Sequence, residues 1–254
     1  MTPITPKDGI AIVTGAGSGL GRALATELVE KGFTVAGTGR RQSALDETRD
    51  RLGQNFLPIQ MDVADGIAVS EGFSELVSHH GDIAILINNA AVYPRRDFLA
   101  ESPDSFAQTL QINLGGVLNC SHAALQNMAP RGEGRILNVA TFADLNPLPA
   151  SSAYSVSKGA ARILTRAMIA DLSDRFPGIV ISDWMPGMLQ TEMGIPDGIP
   201  PKQSAEWGAR LALMRDPSLT GSVFEMGSEI LQPRGLKGKI KDVLLLRRQK
   251  PRQL

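Results

Sequence analysis

The chain has few of the residues that would cross-link it or bind a metal. Among its 254 residues the single cysteine, Cys120, cannot form an internal disulfide, so we expect a reducing, cytoplasmic compartment. Only three histidines occur, His79, His80 and His122, and their spacing does not predict a metal site. No metal is therefore expected.

Long apolar runs are also absent. No stretch approaches the roughly 18 apolar residues of a membrane span, and the first residues lack the basic and apolar regions of a secretory signal. Acidic and basic residues balance at 26 each, which argues against chain-wide attraction to nucleic acid. The hydrophobic content of 43% is that of a globular protein. We therefore expect one domain over residues 1–254, with no nucleic-acid partner and no stable membrane insertion.

Strand-like and helix-like patterns alternate along the chain. Short apolar runs predict strands at 10–14, 33–38, 55–61, 83–88, 135–140, 178–185 and 221–226. Segments with a period near 3.6 residues predict helices at 19–31, 41–53, 66–79, 101–128, 151–175 and 203–214. Because the strands are continuously apolar, both faces of the sheet should be covered. The pattern predicts an α/β fold, a doubly wound parallel sheet of about seven strands.

A glycine-rich turn joins the first predicted strand to the first predicted helix. Glycines at such a junction let the backbone approach a pyrophosphate, whose charge the helix amides can meet. A plain strand-to-helix loop is the alternative. The candidate cofactor contacts here are Thr14, Gly15, Gly17, Ser18, Gly19, Leu20 and Gly21.

The end of the second strand indicates which dinucleotide would bind. Gly39 stands where an acidic residue would contact a free ribose 2′-hydroxyl, and Arg40 and Arg41 follow it. Guanidinium groups suit a 2′-phosphate, so NADP(H) is favoured, with NAD(H) still possible. Two solvated arginines at a helix start are the alternative.

Tyr154 and Lys158 lie four residues apart on a predicted helix, and therefore on one face. Alone they could be ordinary surface neighbours. Beside a dinucleotide they could transfer a proton, because an ammonium near a phenol favours the phenolate.

With T-G-x-x-x-G-x-G at 14–21, "INNAA" at 87–91 and Y-x-x-x-K at 154–158, the chain resembles the short-chain dehydrogenase/reductase family over residues 8–226. The resemblance implies a Rossmann-type sheet of seven parallel strands. It also implies hydride transfer between a nicotinamide cofactor and a carbonyl or alcohol, with Tyr154 as the general acid or base.

The resemblance assigns further roles residue by residue. Lys158 would also hold the nicotinamide ribose, and Asn113 would help to hold a water in the proton relay. Further cofactor contacts are implied at Asp62, Val63, Asn89, Ala90, Ala91, Pro186, Gly187, Met188 and Thr191.

Two features depart from the family. Its usual serine is replaced by Thr141, which keeps the hydroxyl but adds a methyl group that crowds the pocket. The basic C-terminal tail, 236–254, is also unusual, and could be solvated or could contact an anionic surface. The tail leaves a homodimer and a homotetramer equally open.

Substrate identity is left open by the sequence. A lid at 191–207 should shape the pocket, and Met185, Met188 and Met193 indicate an apolar lining. Trp184 and Trp207 could line the pocket or pack in the core. A hydrophobic ketone and a carrier-bound acyl ketone are both possible. An inactive NADP(H)-sensing or scaffolding protein, and a lyase or epimerase using the same pair, remain as alternatives.

Overall fold

A computed structural model describes residues 3–231 and 250–254. The strands are β1 (Ile10–Thr14), β2 (Val35–Gly39), β3 (Phe56–Gln60), β4 (Ile83–Asn88), β5 (Glu133–Val139), β6 (Gly178–Met185), β7 (Val223–Glu225) and β8 (Ser228–Ile230). The α-helices are α1 (Gly19–Glu30), α2 (Gln42–Leu52), α3 (Gly66–His80), α4 (Pro103–Leu110), α5 (Gly116–Arg131), α6 (Ser152–Leu172) and α7 (Pro201–Ala212).

The described strands form one sheet in the order β3-β2-β1-β4-β5-β6-β7-β8. The first seven strands pair in parallel, with Ile12 of β1 opposite Ala36 of β2 and Leu86 of β4. The order reverses between β1 and β4, and ligands bind at such a reversal, beyond the carboxyl ends of the strands. The doubly wound α/β prediction is confirmed.

Helices cover both faces of the sheet, as the continuously apolar strands predict. On one face, α1 and α7 pack over a core that includes Leu24, Trp184 and Leu211. On the other, α3, α5 and α6 cover a core that includes Phe73 and Ile181. The two cores hold the carboxyl ends of the strands at fixed positions.

Two elements differ from the prediction. The single helix predicted at 101–128 is divided into α4 and α5 by a π-helical turn, Gln111–Gly115. An eighth strand, β8, runs antiparallel to β7. It is short and half-buried, so its sequence carries no strong apolar pattern.

The end of the predicted basic tail lies against this last strand. The backbone N–H of Glu229 donates to the Arg252 carbonyl, and that of Leu254 donates to Gly227. The Arg252 guanidinium pairs with Glu229 at 3.4 Å. Arg252 and Leu254 are therefore bonded to the β7–β8 hairpin, while Lys250, Pro251 and Gln253 are exposed. The tail from 236 to 249 lies outside the described residues. Among the described helices, none is both long enough and apolar enough to cross a membrane.

Candidate active site

The glycine turn between β1 and α1 has the close backbone packing that a phosphate cradle needs. Gly15 and Gly19 have φ angles of +70° and +50°, in the left-handed region that favours glycine. A Cβ on Gly21 would lie 2.1 Å from the Gly15 carbonyl oxygen. Ser18 caps α1 without a side-chain hydrogen bond, so the first-turn amides keep their capacity to bind an anion.

Arg22, which the sequence reasoning missed, holds this turn in shape. Its guanidinium donates to the Gly17 carbonyl at 2.5 Å and to the Thr48 hydroxyl at 3.0 Å. It also pairs with Glu47. The sequence signal that could have identified Arg22 is its position, one residue after Gly21, the last glycine of the motif.

Thr14 and Asn89 lock the ends of β1 and β4 together. The Thr14 hydroxyl accepts the backbone N–H groups of Asn89 and Ala90, both at 2.9 Å. The Asn89 amide donates back to the Thr14 carbonyl at 2.8 Å. Since Ala90 also lies against Gly15, the "INNAA" segment borders the glycine turn as expected.

At the end of β2 the structure leaves room for an acidic side chain at position 39, where the sequence has Gly39. A Cβ on Gly39 would meet nothing closer than Leu45, at 3.5 Å. An acidic side chain would therefore fit there. Glycine leaves this position without a negative charge. Arg40 and Arg41 are both exposed beside this position.

Asp62 and Val63 follow β3 at the same edge. The Asp62 carboxylate accepts the Ala64 backbone N–H at 3.0 Å. The Val63 side chain is buried, and its carbonyl accepts the Asn119 amide at 2.9 Å. Both residues are thus held in place at the carboxyl edge of the sheet, beyond β3 and away from Tyr154.

The segment after β6 folds over the glycine turn. Gly187 has a φ of +85°, and the Pro186 carbonyl accepts the Ser204 hydroxyl at 2.9 Å. The Thr191 methyl group lies 3.3 Å from the position of a Cβ on Gly19. The lid is closed on itself, because Ile199 donates to the Met188 carbonyl at 2.8 Å.

Tyr154 and Lys158 lie on the first turns of α6, beside the end of β5. The Lys158 ammonium is buried and donates to the Val139 carbonyl at 2.6 Å. Burial lowers the pKa of Lys158 to about 8, while the nearby charges of Asp183 and Asp144 act to raise it. The described residues therefore bring the pair together, but the ammonium is bonded to the backbone.

The surroundings of Tyr154 shift the pKa of its phenol in both directions. Burial raises the pKa of Tyr154, and only the hydrogen bond with Thr141 lowers it. The charges of Tyr93 and Asp144 raise it further. In this arrangement Lys158 does not depress the phenol pKa. That Lys158 lowers the phenol pKa beside bound cofactor stays a prediction.

Asn113 lies in the π-helical turn and is fully engaged. Its side-chain oxygen accepts the Val92 N–H at 2.8 Å, and its amide donates to the Val92 carbonyl and to the Ser157 hydroxyl, both at 2.9 Å. Asn113 thus ties the chain after β4 to α6. A π-helical turn often marks a functional position.

A buried polar chain runs behind Lys158, and sequence reasoning missed it. The Asn88 amide donates to Asn138 at 2.8 Å, the Asn138 amide to Thr165 at 2.9 Å, and the Thr165 hydroxyl to the Asp183 carboxylate at 2.8 Å. Burial raises the pKa of Asp183 to about 6, against the lowering effects of Thr165 and nearby cations. The Asp183 carboxylate acts in turn to raise the pKa of Lys158.

Tyr93 and Arg95, after β4, are a second group that no motif indicated. The Tyr93 ring stacks on Tyr154, with centroids 4.4 Å apart and planes at 24°. The Arg95 guanidinium lies 5.4 Å from the Tyr93 centroid. The same guanidinium donates to the Gly194 carbonyl at 2.8 Å, which connects this loop to the lid.

The other expected pocket residues divide between core and surface. Trp184 and Met185 are buried in the core, while Met188 and Met193 are exposed. Trp207 packs against the core from a half-buried position. All three histidines are exposed, and no cluster of metal-binding side chains occurs in the described residues.

These positions fit a dinucleotide. The glycine turn offers backbone amides at a helix start, and Gly15, Gly19 and Gly21 carry no side chain of their own there. Arginines stand at the end of β2, and the Tyr154–Lys158 pair lies at the end of β5, on the other side of the sheet reversal. The site therefore has a place for phosphates, for a ribose and for a reacting group.

The comparisons with known proteins agree with this geometry. The family described as "short chain dehydrogenase" matches residues 9–198. The chain is 33% identical to 2-(R)-hydroxypropyl-CoM dehydrogenase of Xanthobacter autotrophicus over 191 residues, covering 72% of this chain and 76% of that protein. It is 32% identical to a probable NADP-dependent dehydrogenase of Haemophilus influenzae over 184 residues, 72% of each.

Among solved structures, a putative betaketoacyl-ACP reductase superposes with a TM-score of 0.77 at 27% identity. The match covers 86% of this chain and 95% of that one.

Proposed function

Because the chain belongs to the short-chain dehydrogenase family, we propose that it transfers a hydride between NADP(H) and a carbonyl or secondary alcohol. The observation that carries the proposal is the position of Tyr154, one helical turn from buried Lys158, at the edge that holds the glycine turn. When bound, the nicotinamide supplies or accepts the hydride.

The protein's own groups would do the rest. In reduction, Thr141 donates to the substrate oxygen and Tyr154 gives that oxygen its proton as the carbonyl carbon accepts the hydride. Beside the bound cofactor, the Lys158 ammonium would favour the phenolate left behind. Asn113 keeps the loop after β4 fixed against α6 by its bonds to Val92 and Ser157. Water in the relay beside Asn113 would return the proton.

A preference for the phosphorylated cofactor is supported by Gly39, Arg40 and Arg41. Two exposed guanidinium groups can meet a 2′-phosphate with charge-assisted bonds. The space at Gly39 contains no carboxylate that would repel that phosphate. A relative named as NADP-dependent points the same way. NAD(H) would bind more weakly.

The setting we propose is a cytoplasmic homo-oligomer acting on a small molecule. The buried thiol of Cys120, whose pKa burial raises to about 12, suits a reducing compartment in which no disulfide is needed. A homodimer or homotetramer is the assembly expected from the family resemblance.

The test is Tyr154→Phe, with Tyr93→Phe as its matched control. Both variants lose one hydroxyl from the same ring stack. Tyr154→Phe should lower kcat by roughly 10²- to 10⁴-fold, the usual contribution of a general acid. Tyr93→Phe should leave most of the turnover intact.

NADPH affinity, measured by fluorescence, should be nearly unchanged in both variants. Unchanged turnover in Tyr154→Phe would refute the assignment. Turnover without net consumption of NADPH would instead indicate a lyase or an epimerase.

A further inference from the structure

Exposed apolar side chains cluster around the proposed site. Seven of the eleven exposed large apolar side chains in the described residues lie on the loops after β4, β5 and β6. Soluble proteins rarely leave such patches uncovered without a use. The cluster includes Leu99, Phe142, Leu145, Leu148, Met188 and Met193, which are 41% to 95% exposed.

These three loops are tied to one another, so their apolar side chains form one surface. The Arg96 backbone N–H donates to the Ala150 carbonyl at 3.2 Å, joining the loop after β4 to the loop after β5. Arg95 donates to the carbonyls of Met193 and Gly194 at 3.2 and 2.8 Å, joining the first loop to the lid. We refer to this surface, the loops 93–100, 141–150 and 188–194, as the mouth.

The mouth is continuous with the reacting group. Tyr93 belongs to the first loop and stacks directly on Tyr154. Phe142 follows Thr141 at the end of β5. The two cations of the first loop already have partners, since the Arg95 guanidinium is bonded to the lid carbonyls and Arg96 pairs with Glu101. An apolar group lying on the mouth would therefore reach the phenol through its contact with Tyr93.

We propose that the substrate is a ketone, or the matching secondary alcohol, with a large apolar substituent that lies on Tyr93 and across the mouth. This inference rests on the proposed function for the reaction at the carbonyl. A second copy of the chain seated on the mouth would cover the phenol that the substrate must reach. The apolar faces of α5 and α6, with Leu118, Val156 and Ile163, are a separate exposed surface.

The first experiment measures the affinity of a homologous series of methyl ketones, from 2-butanone to 2-decanone, for the NADP⁺ complex by calorimetry. Each added methylene that leaves water should tighten binding by about fourfold. The same series, reduced with NADPH, should show kcat/KM rising in parallel until the mouth is filled.

The second experiment removes the apolar surface. In a Leu145→Ser, Leu148→Ser double variant the increase per methylene should fall to less than twofold, so that the loss grows with chain length. Ile67→Ser on α3 is the matched control, because Ile67 is 73% exposed and lies outside the mouth. It should keep the full increase.

The outcomes separate the two proposals. Turnover that does not depend on chain length would overturn the apolar substituent and leave the oxidoreductase proposal standing. Tighter binding of longer ketones without any turnover would support the mouth and overturn the reaction. A double variant that becomes a smaller species in sedimentation, with the chain-length dependence unchanged, would show that the patch joins copies of the chain.

Discussion

Asp183→Asn should shift the pH dependence of turnover to lower pH. The Asp183 carboxylate is the strongest charge opposing the effect of burial on Lys158, whose pKa is about 8. Asparagine keeps an oxygen that can accept the Thr165 hydroxyl but removes the negative charge. The pKa of Lys158 should therefore fall.

The size of the shift follows from Coulomb's law. Two unit charges about 7 Å apart interact by about 2.4 kcal/mol at an effective dielectric constant of about 20. This corresponds to between one and two pKa units. If the pKa of Lys158 falls from about 8 to about 6.5, the charged fraction at pH 7.5 falls about eightfold.

The direction of the shift can be read from the basic limb of the pH profile of activity. Lys158 acts as an ammonium, so activity is lost as pH rises through its pKa, and in the variant that loss begins at lower pH. Activity should recover near pH 6, where both proteins carry the charge. Two further charged groups face Asp183, Arg162 and Arg166, which lie on α6 like Lys158. Neither arginine is altered in the variant.

The assay is kcat/KM for ketone reduction from pH 5.5 to 9.5, with Asp171→Asn at the exposed end of α6 as the control. The Asp183 variant should unfold at no lower temperature, because a buried amide costs less than a buried carboxylate. A uniform loss of activity with the basic limb in its wild-type position would show that Asp183 only supports the fold.

Two further predictions concern the cofactor. Arg40→Ala should raise KM for NADPH roughly 10- to 100-fold, because one charge-assisted contact is lost. KM for NADH should change little. Equal effects on both cofactors would remove the basis for the NADP(H) preference. Gly21→Ala should weaken NADPH binding, since its Cβ would lie 2.1 Å from the Gly15 oxygen and displace the turn. Gly53→Ala, whose Cβ meets nothing within 4 Å, should lower the melting temperature through backbone strain but leave NADPH affinity unchanged; a loss of affinity there would contradict the argument.

The sequence predicted the elements whose pattern is set by burial. The strands 10–14, 83–88 and 178–185 were predicted with the bounds that the structure has, because each is mostly apolar and buried along nearly its whole length. The π-helical turn could not be predicted, because the apolar period continues through it. Within this turn, Asn113 bonds to Val92 and Ser157, which are distant in sequence and leave no signal in the local pattern.

The parts of the site that were missed have the same origin. Asp183 lies within an apolar strand, where nothing in the sequence indicates that Thr165 and Asn138 will meet it. Tyr93 belongs to no motif, and its contact with Tyr154 joins a loop to a helix about 60 residues further along the chain. Motifs locate residues that touch a shared cofactor. They do not locate the groups that tune those residues or select a substrate.

The two pKa shifts of the Tyr154–Lys158 pair explain why such groups are needed. Burial disfavours the charged form of both members, raising the pKa of Tyr154 and lowering that of Lys158. A neutral phenol is the proton donor that carbonyl reduction requires, so the resting state suits Tyr154. A neutral amine does not suit Lys158, since it could not stabilise the phenolate formed after proton transfer. Of the two residues, only Lys158 is affected by the buried carboxylate of Asp183. This carboxylate raises the pKa of Lys158 against the effect of burial and leaves the phenol of Tyr154 neutral.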